Sequence, residues 1–527
     1  MKKRLMMLSF ALAAVLAACG RGDTAQQPDD VNHQEAPAAV GNAAFTYAIS
    51  GNPLSTNPVI VSDRFGLTFA NMVYSPLARL DASGGLEYVL AESMDVSEDG
   101  LVITVHLRAG VLWSDGEPFT SRDVVFTYET RANPDYGSHT GLWIGDEPIA
   151  ISAVDDLTVE FALPSVSAAA LNNILFEGFV MPYHIFADEP DFGANDLQAH
   201  PVGTGPFMLL EYNRGQYLTF EANPQYFGGE VGIPNVTLRI IENADTARLA
   251  LQSGEVDAAI ILPADIADLD ENMITAFPFS ENRVGYIGMN ALTPELQDVR
   301  VRQAIRYALN THDMNLAAYL GEEFFNTPTS FLPPNNPWAS TNVNTFETDL
   351  DRARELLAEA GVTNLQINIA FTSTDPAQTA QATLAQAQLA QAGITLTLEG
   401  GDGAAISAEL RDPESTRFNL FTGGYIMGQD PDGYRSLFMS HSPFNFWNHH
   451  SETIDALFEA GAVELDEAAR FAIYEELQQV ISDDAIIVPI VDNLRIIAIN
   501  NRIGGIEEAG LVPIYTFDDW SRLFIQP

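Results

Sequence analysis

From residue 43 onward the chain alternates between two hydrophobic periods. Phe45-Thr46-Tyr47-Ala48-Ile49 reads as a first strand, closed by the turn residues Gly51-Asn52-Pro53. Leu101, Ile103, Val105 and Leu107 alternate with Val102, Thr104, His106 and Arg108, the period-2 pattern of a strand with one buried face. Leu157 to Leu163 repeats the alternation, and the two segments are expected to share an antiparallel sheet. Helical spacing takes over between such strands. Thr120 is placed to cap a helix, Asp123 to answer as its capping-box partner, and Val124, Val125 and Tyr128 to form the apolar face. Asp298 precedes Val301, Ala304, Ile305, Ala308 and Leu309, all on one helical stripe. Asp349 opens a helix lined by Leu350, Ala353, Leu356 and Leu357, and Gly361 closes it. Asp375-Pro376 starts an Ala- and Gln-rich helix ending near Gly393, before the strand Ile394 to Leu398. Phe471, Tyr474, Leu477 and Ile481 mark a further helix, and Ile486 to Val491 reads as a buried strand. Helices and strands that interleave without segregating predict an α/β protein.

Composition narrows what such a protein does. With 527 residues and 46% hydrophobic positions the chain is too apolar for disorder, and its length suggests about three folding units. Twenty-five basic against 71 acidic residues leave a formal charge of −46, so most of the surface repels phosphate backbones and nucleic acid is excluded as a partner. The only lysines are Lys2 and Lys3, and a body without lysine holds no P-loop lysine, Schiff-base lysine or Ser-Lys dyad. The single cysteine, Cys19, rules out an internal disulfide, a Cys-rich zinc site and an iron–sulfur cluster. There is no Gly-x-Ser-x-Gly elbow and no His-Glu-x-x-His helix, so the expectation is a protein that is not an enzyme, with a secreted hydrolase as the last-ranked alternative. His441, His449 and His450 invite a metal reading. Adjacent His449 and His450, however, point to opposite faces of a strand or diverge by ~100° on a helix, and no metal or cofactor is expected.

The first residues are read as an export signal. Lys2, Lys3 and Arg4 form a positive region, and Leu5 to Leu16 is an apolar run too short to cross ~30 Å of hydrocarbon as a helix. Leu16-Ala17-Ala18-Cys19-Gly20 then resembles the lipobox of bacterial lipoproteins, in which the cysteine becomes the lipid-bearing first residue. The expectation is a signal peptide at 1–18 and a lipidated flexible tether at 19–42, its polar, Pro- and Gly-bearing sequence holding the body roughly 25–30 Å from a membrane surface. No later stretch offers 18 consecutive apolar residues.

Three segments together carry a family resemblance. The first runs through Ala91-Glu92-Ser93, Leu101 to Arg108, Gly110-Val111-Leu112-Trp113, Asp115-Gly116, Pro118-Phe119-Thr120 and Asp123-Val124-Val125-Phe126 to Tyr128. The second is Val202-Gly203-Thr204-Gly205-Pro206-Phe207 through Asn223-Pro224-Gln225-Tyr226-Phe227-Gly228-Gly229, and the third is Asp298 to Ile305 with Tyr307-Ala308-Leu309. In this order they resemble the family 5 extracellular solute-binding proteins, the dipeptide-, oligopeptide- and nickel-binding receptors of ABC importers. The resemblance implies a two-lobed periplasmic-binding-protein fold of type II, α/β throughout, with an additional inserted domain and a ligand cleft between the lobes. It places lobe 1 at 43–75, 200–288 and 490–527, the inserted domain at 76–199 and lobe 2 at 289–489, with crossovers near Tyr286 to Asn290 and Val488 to Val491. It also implies an exported, membrane-anchored monomer that hands a peptide or similar solute to ABC permease subunits, with oligosaccharide or metal chelate as the runner-up ligands.

Within that resemblance, peptide-binding members place an aspartate three residues after a Gly-Trp pair to hold the ligand's amino group. Here Gly424-Tyr425 matches the pair with Tyr for Trp, but Ile426 to Gln429 carry no carboxylate before Asp430. The segment is closer to members with Asp-Pro-Asp followed by a tyrosine and a Leu-Phe run, as in Asp430, Asp432, Tyr434 and Leu437-Phe438. Asp430 and Asp432 are candidate ligand contacts or caps of a helix at 433–439. Tyr425, Phe446 and Trp447 are candidate cleft linings or core residues. Asp63 and Arg64, in the polar loop after Asn57-Pro58, and Tyr286 and Asn290, at the expected crossover, complete the candidate set.

Overall fold

The computed structural model describes residues 44–61, 63–80, 85–136, 139–176, 178–187 and 201–526. The expected signal peptide, Cys19 and the tether lie outside the described residues. The chain opens with strand β1 (Ala44–Ile49) and helix α1 (Arg64–Val73). It then builds β2 (Ala91–Val96), β3 (Val102–Leu107), helix α2 (Ser121–Ala132), β4 (Ala150–Asp155), β5 (Thr158–Ala162) and α3 (Ala168–Leu175). It returns through β6 (Phe207–Asn213), β7 (Tyr217–Ala222), β8 (Asn235–Ile240), α4 (Ala244–Gln252), β9 (Ala258–Ile261) and β10 (Ile274–Ser280). Strand β11 (Arg283–Met289) leads to α5 (Val299–Ala308), α6 (Leu350–Glu359), β12 (Gln366–Thr372), α7 (Pro376–Gln391), β13 (Thr395–Gly401), α8 (Gly403–Leu410) and β14 (Leu420–Ile426). Helices α9 (Glu452–Val463) and α10 (Glu467–Asp484) precede the long strand β15 (Ile487–Asn500).

Local chemistry explains most of these boundaries. Asp298, Asp349, Asp375, Asp402 and Asp466 each cap a helix, their carboxylates accepting from first-turn amides of α5, α6, α7, α8 and α10. Part of the acidic surplus is therefore spent at helix N-termini. Asp123 accepts the backbone N–H of Thr120 at 2.8 Å, the reciprocal half of a capping box on α2. Gly361 and Gly393 end α6 and α7 at φ 74° and 84°, a backbone region that L side chains rarely adopt.

Strands β2, β3, β5 and β4 form a separate antiparallel sheet, with β3 against β5 as their alternation predicts. Its buried face carries Ile103, Val105 and Phe161, which pack with Trp113 and Tyr128 into their own core. The main sheet runs β6-β7-β8-β1-β9-β15-β11-β14-β12-β13, with β10 also paired to β15. Phe45, Phe69, Phe220 and Trp520 fill the core at its first end. At the other end Val301, Ile305, Leu356 and Leu389 pack on one face, and Phe421, Trp447 and Tyr474 belong to a second cluster. The Val202-to-Phe207 motif has a packing reason. A Cβ on Gly203 would lie 1.8 Å from the Val73 carbonyl, and Gly205 donates its N–H to that oxygen at 2.8 Å, so glycine lets this segment lie against the end of α1.

Candidate ligand-binding cleft

The main sheet is one hydrogen-bonded ribbon made of two halves. β1 runs parallel to β8 and β9, so their carboxyl ends Ile49, Ile240 and Ile261 share one edge. In the other half β12 runs parallel to β13 and β14, and Thr372, Gly401 and Ile426 share the corresponding edge. The chain joins these two edges directly. β10 ends at Ser280 opposite Leu494 of β15, and β11 begins at Arg283 opposite Ile426 of β14. Along β15, residues 494–500 pair with β10 and residues 487–491 pair with β11. The sheet thus changes partners at Glu281-Asn282 and at Asp492-Asn493, and the two carboxyl edges face each other across that line. Crevices outside the carboxyl ends of parallel strands are where open α/β sheets bind ligands.

The line of changeover is polar. Asn282 has φ 50°, and its backbone N–H is held by the Ser280 hydroxyl at 2.8 Å. Asp492, with no exposed surface, accepts from Ser280 Oγ at 2.7 Å and Asn326 Nδ2 at 3.0 Å through Oδ2, while Oδ1 has no hydrogen-bond partner. Burial raises its pKa above the usual carboxylate value, against the opposing effect of Asn326 and Ser280. Glu281 accepts from Arg64 at 2.6 Å and from Arg495 at 3.4 Å. Arg283 lies over the carboxyl end of β14. A Cβ on Gly424 would sit 2.0 Å from its guanidinium, so glycine there leaves the arginine its place.

Strand β14 also offers an open edge. Its β11 side is paired from Leu420 to Ile426, but its β12 side is paired only at Leu420 and Phe421. Beyond Phe421 no strand pairs with that edge among the described residues, and Gly424 and Ile426 are exposed there.

A family model for bacterial extracellular solute-binding proteins, family 5, matches residues 85–446. The chain belongs to that family. It is 28% identical over 511 residues to the oligopeptide-binding protein AppA of Bacillus subtilis, covering 92% of each chain. It is 25% identical over 543 residues to heme-binding protein A of Haemophilus influenzae, covering 96% of each. Its fold is similar to that of the ABC transporter substrate-binding protein CtaP of Listeria monocytogenes, with a TM-score of 0.87 and 34% identity over 92% of this chain and 99% of that one. Family 5 proteins are extracellular solute-binding proteins, and among the described residues no helix is long and apolar enough to cross a membrane.

In this family 5 chain the candidate residues fall into distinct places. Tyr286, Tyr425 and Trp447 come together as buried aromatics, with Tyr286 5.5 Å from the Tyr425 ring and 5.0 Å from Trp447. Tyr425 donates its hydroxyl to the Phe331 carbonyl at 2.6 Å, and Trp447 its Nε1–H to the Leu437 carbonyl at 2.9 Å. Phe446 is half-buried beside exposed Phe444. Asn290 is buried, donating to the carbonyls of Ser415 and Phe418 and accepting from Leu292 N and Asn448 Nδ2. Asp63 caps α1, accepting from Phe65 and Gly66, and also takes the N–H of Leu54. Arg64, one residue on, reaches Glu281 at the changeover.

Asp430 caps the short helix Pro431–Tyr434 through the N–H of Asp432. It also takes both arms of Arg470 at 2.8 Å each and the side-chain amide of Asn172, on α3, at 2.6 Å. Those four donors fill the acceptor sites of one carboxylate. Asp432 is buried near Tyr474 and Arg435, and burial raises its pKa. His449 pairs with Asp484 at 2.8 Å, and among the described residues no three His, Cys, Asp or Glu side chains gather to hold a metal ion.

Arg283, Arg495, Glu281 and Asp492 were not among the residues singled out from the sequence. The signal was present: Asp492 and Arg495 interrupt an apolar run that otherwise continues from Ile486 to Ile499.

Proposed function

We propose that this protein is the substrate-binding component of an ABC importer, which captures an extended peptide between the facing sheet edges and delivers it to a membrane permease. The observation that carries the reading is the open edge of β14 at its carboxyl end, from Gly424 to Ile426. A peptide in extended conformation adds to such an edge as a strand, its backbone supplying the missing N–H and C=O partners independently of its sequence. The relatives named for oligopeptide binding support the same ligand class. In this reading the protein is a monomer without catalytic chemistry, organised in the lobes and inserted domain read from the sequence, and exported with a lipid on Cys19. Closure is a hinge motion about Glu281-Asn282 and Asp492-Asn493.

Backbone methylation tests the strand-addition mode. Two pentaalanine peptides, N-methylated at residues 2 and 4 or at residues 3 and 5, are compared with the parent by titration calorimetry. One pattern blocks the N–H groups that face β14 and should bind at least tenfold more weakly, while the other is tolerated. Equal binding of all three peptides would remove strand addition as the mode of recognition.

A further inference from the structure

We infer that a pocket on the first half of the sheet, walled by Arg495 and Arg64, is a subsite for a carboxylate of the bound ligand. The inference deepens the peptide reading above and rests on it. The pocket has a volume of about 140 Å³ and lies at the carboxyl ends of β1, β8 and β9, on the edge that faces the other half. That is room for a carboxylate and a few waters.

Its arginines are under-compensated. Arg64 and Arg495 share one carboxylate, Glu281, so the trio carries a net positive charge in a chain of formal charge −46. Arg64 is well paired, at 2.6 Å to Glu281 with a second arm on the Pro513 carbonyl. Arg495 has a single contact to Glu281 at 3.4 Å, although only 22% of its side chain is exposed. A guanidinium carries five N–H donors, and that contact to Glu281 is the one hydrogen bond Arg495 makes among the described residues, while its side chain lines the pocket. Burial lowers its pKa, and the neighbouring Arg64 lowers it further. An anion in the pocket opposes both effects by direct attraction to the guanidinium. A planar carboxylate suits the forked donor geometry of arginine.

A second observation comes from Thr516, which lines the same pocket. Thr516 is held at φ 71°, a costly conformation for a β-branched residue, and its hydroxyl meets that of Tyr47 at 3.1 Å. Such strain gathers at ligand clamps, where the surrounding structure enforces it. Glu242 also lines the pocket, but it is exposed to solvent, which screens its charge more than that of the half-buried arginines.

The test uses three pentapeptides at low salt: pentaalanine with a free C-terminus, its C-terminal amide, and the amide with a central glutamate. Wild-type protein should bind at least one carboxylate-bearing peptide tenfold or more tightly than the neutral amide, and which one it prefers identifies a terminal or a side-chain carboxylate. Arg495→Gln should erase the difference and Arg495→Lys retain part of it. The Arg64–Glu281 pair survives both changes, and circular dichroism checks that the fold does too. Equal affinity of wild type for all three peptides, or discrimination that persists in Arg495→Gln, would overturn the assignment. If no peptide binds wild type, the peptide reading itself fails, and sodium glutarate then decides the pocket. A melting-temperature rise over sodium chloride of equal ionic strength, lost in Arg495→Gln, sustains the subsite, and no rise overturns it.

Discussion

Replacing Asp430 by asparagine removes one charge from a pair that is almost wholly out of water. The side chains of Arg470 and Asp430 are 6% and 10% exposed, and their two contacts are both 2.8 Å. Arg470 also lies over Trp338 and Tyr474, at 5.0 and 5.3 Å from the ring centres, and gives its Nε–H to the Gly461 carbonyl. Burial acts against its charge, and the bonds from Asp430 more than offset that, leaving its pKa raised. In Asp430→Asn the new amide group meets guanidinium N–H groups, donor against donor, and the arginine keeps its charge without a counter-charge. Breaking one side of a buried pair costs roughly 3–5 kcal/mol. For a cooperative unit of about 200 residues this is a fall in melting temperature on the order of 10 °C.

Urea and thermal unfolding followed by circular dichroism measure it directly. Removing both charges, in Asp430→Leu with Arg470→Met, should recover much of the loss, because apolar replacement of a whole buried pair is often neutral. Asn172→Ala, which deletes only the amide reaching across from α3, should cost about 1 kcal/mol. A loss below about 1 kcal/mol in Asp430→Asn would refute the argument, since a carboxylate that contributes so little is not committed to Arg470.

Four further outcomes are expected. Asp492 has a folded-state pKa raised by burial, so the native state holds its proton more tightly than the unfolded chain, and stability falls as pH rises from the unfolded value through the folded one. Asp492→Asn should flatten that slope at pH values above the ordinary carboxylate pKa; unfolding curves of unchanged pH dependence would count against it. Tyr425→Phe should cost about 1 kcal/mol for the lost bond to Phe331, and Tyr425→Ala about 3–5 kcal/mol for the emptied core, both read from urea midpoints. Cys19→Ser should move the protein from the membrane pellet to the soluble fraction, and a variant that still pellets would require a different anchor. A chain of formal charge −46 should melt higher in molar sodium chloride than at low ionic strength, and a flat or falling melting temperature would exclude self-repulsion as a major destabilising effect.

What was legible in the sequence was legible for local reasons. The acidic caps Asp298, Asp349 and Asp375 are visible because each precedes an apolar stripe of helical period, and all three cap the helices they were expected to cap. Strands β3 and β5 were visible because the small sheet buries only one face, so inward and outward residues alternate. Tyr425 and Trp447 stood out as large aromatics, but composition does not say whether a ring faces a cleft or a core. The Tyr425 hydroxyl is bonded inside the aromatic cluster to the carbonyl of Phe331, 94 residues away, and the Trp447 indole N–H to that of Leu437, 10 residues back, partners that no local pattern announces. The same holds for Asp430, whose partners Asn172 and Arg470 lie 258 and 40 residues away.

Strand β15 shows most clearly where local pattern gives way. The apolar run Ile486 to Val491 reads as a complete buried strand, yet β15 continues to Asn500. Its interruption, Asp492-Asn493-Leu494-Arg495, looks like the end of a strand because a strand inside one core has no use for such residues. A strand that serves two cores in succession does. Between them it leaves the first apolar layer before entering the second, and its polar side chains there turn to the other crossing segment and its neighbours. Asp492 turns to Ser280 and Asn326, Asn493 accepts from Arg283, and Arg495 reaches Glu281. A charged interruption inside a long β-branched run is therefore a signature of a strand passing between lobes. In the peptide-receptor reading proposed above, the residues at that interruption are the ones that sense both the hinge and the ligand.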